Sequence, residues 1–346
     1  MGHQPEMKQS KASTRSSGNR TAWAAGVGAV LALAAMTVRR QTKAVEWDNP
    51  PLGQFIDVEG MRLHYLERGR GRPVVLLHGR GVTLQDYAIS GLLDKVARNY
   101  RAIAFDRPGY GYSAKPGFAG WQPMAQAQLL HHALVRLGIE NPIVVGHSWG
   151  TLVALAMALE FPAYVGGLVL ASGYYFPTPR LDAIPQAVPA IPLFGTLMRH
   201  TVSPLLGRLM WPAIIRQAFA PADVPQRFEQ FPPWMALRPD QLHASAAEAA
   251  LMVPAAMQLS RRYRELRLPL ALLAGAEDRV VDTGVHTESL HRLLPHGDLR
   301  ILPGVGHMLH YAAPEEIVSA IDAVARAGTS AARRGMQMHP APAALH

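Results

Sequence analysis

The stretch Gly146-His147-Ser148-Trp149-Gly150 constrains the fold of this 346-residue chain more than any other feature. A β-branched run, 142–145, precedes it, and the segment Thr151–Glu160, rich in Leu, Ala and Met, follows it. These compositions favour a strand and a helix respectively. A serine on a tight strand-to-helix turn points its hydroxyl above the end of the sheet, and flanking glycines leave that turn uncrowded. The sequence therefore predicts that Ser148 is a nucleophile on such a turn.

Strand-like and helix-like segments alternate along most of the chain. The strand-like segments are 54–58, 62–67, 73–77, 101–105, 143–145, 168–170, 270–273 and 299–302. The first two flank Glu59-Gly60 and predict a hairpin, whereas continuous apolar runs such as 73–77 are typical of strands buried on both faces. The alternation predicts an α/β fold in which a mostly parallel eight-stranded sheet carries helices on both faces.

The alternation stops at residues 177–255, which are dense in Pro, Met and aromatic residues and contain no clear strand. We interpret this segment as a helical cap inserted into a core formed by residues 49–176 and 256–327. A long irregular loop is the alternative, although loops of this length are rare in compact domains. The tail, residues 328–346, is rich in Ala, Arg and Pro, and we expect it to be disordered.

The N-terminal region, residues 1–48, contains an uncharged apolar run at 21–38. As a helix this run would be about 27 Å long, close to the ~30 Å of a bilayer's hydrocarbon core. We favour a single membrane anchor with the rest of the chain outside the cytoplasm, because the run is long for a signal peptide and Arg39-Arg40 follow it. A cleaved signal peptide, which would leave a secreted or periplasmic protein, and a surface or disordered extension remain alternatives.

The formal net charge of +9 does not indicate a nucleic-acid partner. Seven of the 34 Lys and Arg residues, but only one of the 25 Asp and Glu residues, lie in residues 1–45 around the apolar run. The remainder carries 27 basic and 24 acidic residues, so the excess charge favours a membrane surface instead. The absence of cysteine excludes disulfides, zinc–thiolate sites and a cysteine nucleophile. Nothing in the sequence indicates the oligomeric state.

A serine hydroxyl is a poor nucleophile and needs a neighbouring base. His307 lies in the glycine-framed loop Gly304-Val305-Gly306-His307, which follows the strand-like segment 299–302. The glycines allow this loop to bring an imidazole to Ser148, so we predict His307 as the base. His310 is the nearest rival, but it lacks the glycine frame.

The base in turn needs a carboxylate that holds its tautomer and stabilises the imidazolium. Asp278 comes directly after the strand-like segment 270–273, at the end of the sheet where sites form. We predict Asp278 for this role, with Glu277 and Asp282 as alternatives. The chain order Ser, Asp, His is the one known for this type of serine turn.

Two backbone N–H groups are needed to bind the developing oxyanion. One belongs to Trp149, directly after the serine, and we predict that the other belongs to Arg80, in the loop His78-Gly79-Arg80-Gly81. We interpret Asp106, which follows the segment 101–105, as part of a structural turn rather than as a catalytic acid.

These pieces, in this order, resemble the α/β-hydrolase superfamily over about residues 54–327. The motifs that carry the resemblance are Leu76-Leu77-His78-Gly79, Asp106–Ser113, Gly146–Gly150, Gly275–Asp278 and Gly306-His307. The chain looks most like cap-bearing esterase-like members, a group that also includes carbon–carbon hydrolases and non-haem perhydrolases. Haloalkane dehalogenases and epoxide hydrolases of this superfamily carry aspartate at the position of Ser148, which argues against both activities.

The resemblance implies a serine hydrolase that cleaves small to medium hydrophobic esters through an acyl-enzyme, with no metal or organic cofactor. Carbon–carbon, lactone or amide hydrolysis on the same triad is the first alternative. A non-catalytic ligand-binding protein on the same fold is the second. Specificity is expected to lie in an apolar pocket lined by cap residues. The candidate pocket residues are Phe176, Phe194, Trp211, Trp234 and Met235.

Overall fold

The computed structural model describes residues 13–181 and 183–338. Its framework is one sheet of eight strands. The strands are β1 (Gln54–Val58), β2 (Met61–Arg68), β3 (Pro73–Leu77), β4 (Arg101–Phe105), β5 (Ile143–His147), β6 (Gly167–Ala171), β7 (Leu270–Gly275) and β8 (Asp298–Leu302).

The strands lie in the order β1-β2-β4-β3-β5-β6-β7-β8. Only the β1–β2 and β2–β4 pairs are antiparallel, and the other five pairs are parallel. The prediction of a mostly parallel eight-stranded sheet is therefore confirmed. Strand β4 lies on one side of β3, and β5 lies on the other. The connections that follow β3 and β5 therefore run in opposite directions along the sheet, and the strand order reverses between these two strands. Loops at such a switch point form a crevice beyond the carboxyl ends of the strands.

The predicted hairpin joins β1 and β2. Glu59 and Gly60 have φ of 51° and 76°, and positive values at both central residues are what a tight two-residue hairpin turn requires.

Helices cover both faces of the sheet. The helices are α1 (Ser13–Asp48), α2 (Gln85–Ile89), α3 (Leu92–Ala97), α4 (Pro123–Arg136), α5 (Gly150–Glu160), α6 (Ala183–Ala187), α7 (Phe194–His200), α8 (Val202–Phe219), α9 (Pro233–Leu237), α10 (Pro239–Ser260), α11 (Ser289–Leu293), α12 (Leu309–Ala312) and α13 (Pro314–Met338). Helices α4 and α5 pack on one face, and α3 and α13 pack on the other. The fully buried helix α5 lies directly behind β5, which holds the serine turn against the centre of the sheet.

The cap between β6 and β7 consists of α6–α10 and short 3₁₀ turns. Most of the segment 177–255 is helical. Helix α10 runs across residue 255, where we placed the end of the cap, and continues to Ser260 with Pro254 inside it.

Both ends of the described chain are helical. Helix α1 includes the apolar run 21–38, and the portion Ala22–Asp48 is long and apolar enough to cross a membrane. The expected disorder from Gly328 is wrong for residues 328–338, because α13 continues to Met338. These residues are mainly good helix formers, and the prolines of the tail come later, at 340 and 342. Residues 1–12 and 339–346 lie outside the described residues.

A fully buried ion pair joins the cap to the core. Arg107, two residues after β4, forms a bidentate ion pair with Glu248 of α10. Neither side chain is exposed to solvent (0% each). Tyr110 Oη donates to Glu248 Oε2 at 2.6 Å, and Gln126 Nε2 donates to Glu248 Oε1 at 3.1 Å. The charges are therefore paired and hydrogen-bonded, as a buried charge must be.

We expect Glu248→Ala to lower the free energy of unfolding by about 3–5 kcal/mol, because it leaves the guanidinium of Arg107 buried without its counter-charge. Urea unfolding measures this loss. The control is Glu265→Ala, which removes the partner of Arg262 in an exposed pair and is expected to change stability little. Equal effects of the two substitutions would contradict a structural role for the buried pair.

Candidate active site

Ser148 occupies a strained turn between β5 and α5. Its φ is 52°, a left-handed conformation that costs an L-residue energy and persists only where the surroundings impose it. Its N–H donates to the carbonyl oxygen of Ala171 on β6 at 2.9 Å. The N–H and hydroxyl of Thr151 both donate to its carbonyl oxygen, at 3.0 and 2.6 Å. The turn is thus held by hydrogen bonds on both sides of the serine.

The two glycines that flank this turn are sterically required. A Cβ atom on Gly146 would lie 2.7 Å from the carbonyl oxygen of Gly150, and one on Gly150 would lie 2.2 Å from the carbonyl oxygen of Leu77. Both distances are far shorter than a van der Waals contact. The turn therefore has no room for a side chain at either position, as the sequence predicted.

Asp278 and His307 meet at the same edge of the sheet, where β7 and β8 end. Asp278 Oδ2 lies 2.8 Å from His307 Nδ1, and Asp278 Oδ1 accepts the N–H groups of Val280 and Val281 at 2.8 and 2.9 Å. Burial alone would raise the pKa of Asp278, but the charge and hydrogen bond of His307 and the two N–H groups outweigh it and lower that pKa below 3.8. The carboxylate is therefore ionised at neutral pH, accepts from Nδ1–H, and leaves Nε2 to face a reacting group.

His147 links the serine turn to the histidine loop. Its Nε2–H donates to the carbonyl oxygen of His307 at 3.0 Å, and the two rings are 5.0 Å apart. Burial, together with the charges of His310 and His307, lowers the pKa of His147 well below 6.5, so the ring is neutral. Since His147 immediately precedes Ser148, this hydrogen bond places the loop of His307 beside the end of the strand that carries the serine.

The predicted oxyanion loop lies against the serine from the other side. A Cβ atom on Gly79 would be 3.2 Å from the Cβ atom of Ser148. Trp149 is the N-cap of α5, where the first N–H groups have no acceptor within the helix. The Arg80 side chain donates from Nη2 to Gln186 Oε1 of the cap at 2.6 Å. The backbone of residues 79–80 and that of Trp149 therefore flank Ser148.

The rival acids and bases have other partners. His310 is buried and its Nε2 lies 2.6 Å from Asp86 Oδ2. Glu277 accepts the N–H of Gly304 at 2.8 Å, and Asp282 accepts the N–H of Val285 at 2.8 Å. The geometry favours His307 and Asp278 over these alternatives.

Asp106 has the structural surroundings that the sequence predicted. Its carboxylate accepts the N–H of Leu84 at 2.8 Å and that of Tyr112 at 2.9 Å, and it lies 2.6 Å from His64 Nδ1. These contacts tie together three segments of the core.

Three buried residues around the site were missed by sequence reasoning. Arg107 donates from Nε to the carbonyl oxygen of His78 at 2.8 Å and from Nη2 to that of Gly79 at 3.1 Å. His78 accepts the N–H of Arg107 at its Nε2 atom, and burial and the guanidinium of Arg107 lower the pKa of His78 to about 3. The motif around Asp106 contains Arg107, but no local signal identifies Glu248, which lies in an alanine-rich helix 141 positions away.

The candidate pocket residues do not form one group. Met235 is buried, and Trp211 and Trp234 are half-buried. Phe176 packs edge-on against Tyr263 of the core. Phe194 is 55% exposed on the surface of the cap. Phe194 faces outward on α7. This orientation depends on how the cap helices pack, which the composition of the segment does not reveal.

A cleft of about 340 Å³ lies where the end of α8 approaches Arg279, next to Asp278. It is lined by Arg216, Gln217, Ala220, Pro221, Ala222, Asp223, Val224 and Arg279. None of the five candidate pocket residues lines this cleft, and its walls are as polar as they are apolar.

Comparison with known proteins agrees with this fold. A model of the "Alpha/beta hydrolase family" matches residues 74–320, which is well over half of the chain. The chain therefore belongs to the alpha/beta hydrolase family.

Its relatives differ in the bond they act on. A 2-hydroxymuconate semialdehyde hydrolase of Pseudomonas sp. (strain CF600) is 32% identical over 182 residues, 50% of this chain and 64% of that protein. Haloalkane dehalogenase 2 of Mycobacterium tuberculosis is 25% identical over 283 residues, 78% of this chain and 93% of that protein.

Two solved structures illustrate the structural likeness. An esterase from Thermogutta terrifontis has a TM-score of 0.64 at 22% identity and covers 80% of this chain and 99% of its own. A bacterial membrane phospholipase A has a TM-score of 0.61 at 23% identity and covers 91% of this chain and 99% of its own. At these identities the likeness shows the shared fold.

We expect Gly150→Ala to lower the free energy of unfolding by about 1–3 kcal/mol, because the new Cβ atom must push against the carbonyl oxygen of Leu77. Alanine ordinarily favours a helix over glycine, so a loss here isolates the steric effect. Urea unfolding measures it. The control is Gly117→Ala, where a Cβ atom would meet nothing within 4 Å. Unchanged or increased stability of Gly150→Ala would contradict the close approach.

Proposed function

We propose that this protein is a serine hydrolase that cleaves small to medium hydrophobic carboxylic esters through an acyl-enzyme. The observation that carries the proposal is the 2.8 Å contact between His307 Nδ1 and Asp278 Oδ2, beside the strained turn of Ser148. A base oriented by an ionised carboxylate, next to a serine, is the arrangement that activates a hydroxyl.

In the proposed reaction His307 Nε2 takes the proton of Ser148 Oγ as the oxygen attacks the ester carbonyl. The N–H groups of Arg80 and Trp149 bind the oxyanion, and each is worth about 3–4 kcal/mol of transition-state stabilisation. His307 then gives its proton to the leaving alcohol. Water, deprotonated by His307, attacks the acyl carbon and releases Ser148. Asp278 remains ionised throughout and stabilises the imidazolium.

An ester is favoured as the substrate by two observations. The structural neighbours include esterases, and the cap packs on the histidine loop through a buried apolar cluster that includes Phe219, Phe228, Phe231 and Met308. We propose that the substrate binds beside this cluster, because apolar side chains accommodate acyl and aromatic groups without leaving polar atoms unpaired.

Carbon–carbon bond hydrolysis is the second candidate, because the 32% identical relative is a 2-hydroxymuconate semialdehyde hydrolase. Lactone and amide hydrolysis use the same three residues and stay open beside it. A non-catalytic binding protein would have no reason to keep Asp278 and His307 paired next to Ser148.

We expect Ser148→Ala to abolish covalent labelling by a fluorophosphonate and to lower kcat on p-nitrophenyl esters by about 10⁶-fold, because the three residues act as a unit. Labelling of the full-length protein, followed by assays on p-nitrophenyl esters of rising chain length, measures both. Urea unfolding of the variant controls for folding. Labelling without ester turnover would favour carbon–carbon or lactone substrates, and absence of labelling in the folded protein would contradict the serine mechanism.

We also propose that α1 anchors the protein in a membrane, with the catalytic domain outside the cytoplasm. The portion Ala22–Asp48 is long and apolar enough to span, and 6% of its most apolar window is buried inside the protein. A helix that exposes this much apolar surface is stabilised by lipid rather than by water.

The full-length protein is expected in the membrane fraction, resistant to carbonate and released by detergent, with its N-terminus intact. Cell fractionation with N-terminal sequencing measures this. Recovery in a soluble extract with an intact N-terminus would contradict the anchor. A chain cut after the small-residue pattern Ala32-Leu33-Ala34, which is typical of a signal-peptide cleavage site, would favour the cleaved signal peptide.

A further inference from the structure

Most of the large apolar side chains that the structure exposes lie in two segments. One is α1, with Trp23, Val27, Val30, Leu33 and Met36. The other is the stretch 181–214 of the cap. Within it Leu193 is 88% exposed and Leu209 is 78% exposed. A contiguous apolar surface of this kind marks a contact with a membrane or a protein.

Helix α8 has two apolar faces. Its inner face carries Trp211, Ile215 and Phe219, which pack on the cluster beside the histidine loop. Its outer face carries the exposed side chains of Val202, Leu205, Leu206, Leu209, Met210 and Ile214. These outer positions recur every three or four residues, so they form one stripe along the helix. A stripe that faced water would be destabilising, which means that something covers it.

The depth of the cap relative to a bilayer follows from how α1 packs. Helix α1 contacts α7, α8 and α9, and its buried and half-buried positions already begin at Leu31 and include Val38 and Val45. The apolar run ends at Val38, and Arg39-Arg40 mark the level of the headgroups. Residues 31–38 rise about 12 Å along the helix axis. Cap helices packed against this part of α1 therefore lie at the depth of the acyl chains.

The charges of the cap favour a lipid surface over a second protein as the cover. Residues 177–219 contain four arginines and one acidic residue. Two of these arginines, Arg208 and Arg216, are exposed on α8. Arg39, Arg40 and Lys43 of α1 add further exposed positive charge just beyond the apolar run. An apolar face bordered by arginine and lysine is typical of a surface that lies in the interface of an anionic bilayer.

The same helix ends at the candidate active site. The N–H of His307 donates to the carbonyl oxygen of Ala218 at 3.2 Å. A Cβ atom on Gly306 would lie 2.0 Å from the carbonyl oxygen of Ala220. Helix α8 is about 27 Å long. Its exposed stripe begins at Val202, and its other end contacts the loop of His307.

We propose that the outer face of α7 and α8 lies in the acyl-chain layer of the leaflet beside α1, and that ester substrates reach Ser148 from the bilayer along α8. The position of the cap stands on the packing and exposure alone, whereas the delivery of substrate rests on the proposed ester hydrolysis. The substrate class is a hydrophobic carboxylic ester that is itself dissolved in the membrane.

The absence of cysteine makes the position directly measurable. Single variants Leu209→Cys on the stripe, Val30→Cys on α1 and Val135→Cys on α4 of the core each replace an exposed apolar residue. Each full-length variant is labelled with an environment-sensitive fluorophore. It is then placed in vesicles of phosphatidylcholine and phosphatidylglycerol that carry doxyl groups at mid-chain.

Quenching at position 209 comparable to that at position 30, without quenching at position 135, is the expected result. Position 209 behaving like position 135 while position 30 is quenched would overturn the proposal. Cross-linking of position 209 between two copies, without quenching, would also overturn it, because a second copy would then cover the stripe.

Substrate delivery is tested with the double variant Leu205→Glu/Leu209→Glu. Hydrolysis of a medium-chain fluorogenic ester dissolved in vesicles is expected to fall by at least about tenfold, because two carboxylates oppose burial in lipid. Turnover of water-soluble p-nitrophenyl butyrate is expected to stay unchanged. The matched control, Val135→Glu/Met257→Glu, places the same charges at exposed apolar positions outside the stripe.

An equal loss on both esters would contradict delivery along α8. Failure of the unsubstituted protein to hydrolyse either ester would refute the proposed ester hydrolysis and delivery together. The quenching experiment would still decide the position of the cap.

Discussion

The buried ion pair between Arg107 and Glu248 is the constraint on which the rest of the site depends. Two full charges without access to water must satisfy each other and every remaining donor and acceptor. Arg107 does so by holding Glu248 of the cap and also the carbonyl oxygens of His78 and Gly79. The cap and the loop that precedes Arg80 are therefore positioned by the same guanidinium. Any displacement of the cap would separate the two charges while both remain buried, which is strongly unfavourable.

The strained backbone of Ser148 is the second constraint on the candidate site. A positive φ at serine is maintained by the packing of Gly146 and Gly150 against neighbouring backbone and by hydrogen bonds to β6 and α5. His147 extends this support to the loop of His307 through a neutral, buried ring. The nucleophile and base that we propose are thus placed by backbone contacts rather than by flexible side chains. Such pre-organisation lowers the reorganisation that the reaction requires.

The proposed membrane contact explains why a chain with a well-packed core keeps so apolar a cap. Helix α8 serves the core through Trp211, Ile215 and Phe219, and it exposes leucines on its opposite side. Polar residues on that opposite side would be the ordinary choice in water. Helix α1 packs against α7 and α8, so the proposal places the apolar span and the outer face of the cap in the same leaflet. The candidate active site lies at the other end of α8.

The sheet, the strand-to-helix turn of Ser148 and the loops of Asp278 and His307 could be predicted from the sequence. These features are encoded locally, by apolar runs, glycines and the rule that sites form where parallel strands end. The pairing of Arg107 with Glu248, the support of the histidine loop by His147 and the outward position of Phe194 could not be predicted. Burial and partner choice depend on contacts between residues far apart in the chain, and these leave no periodic or compositional signal in the sequence.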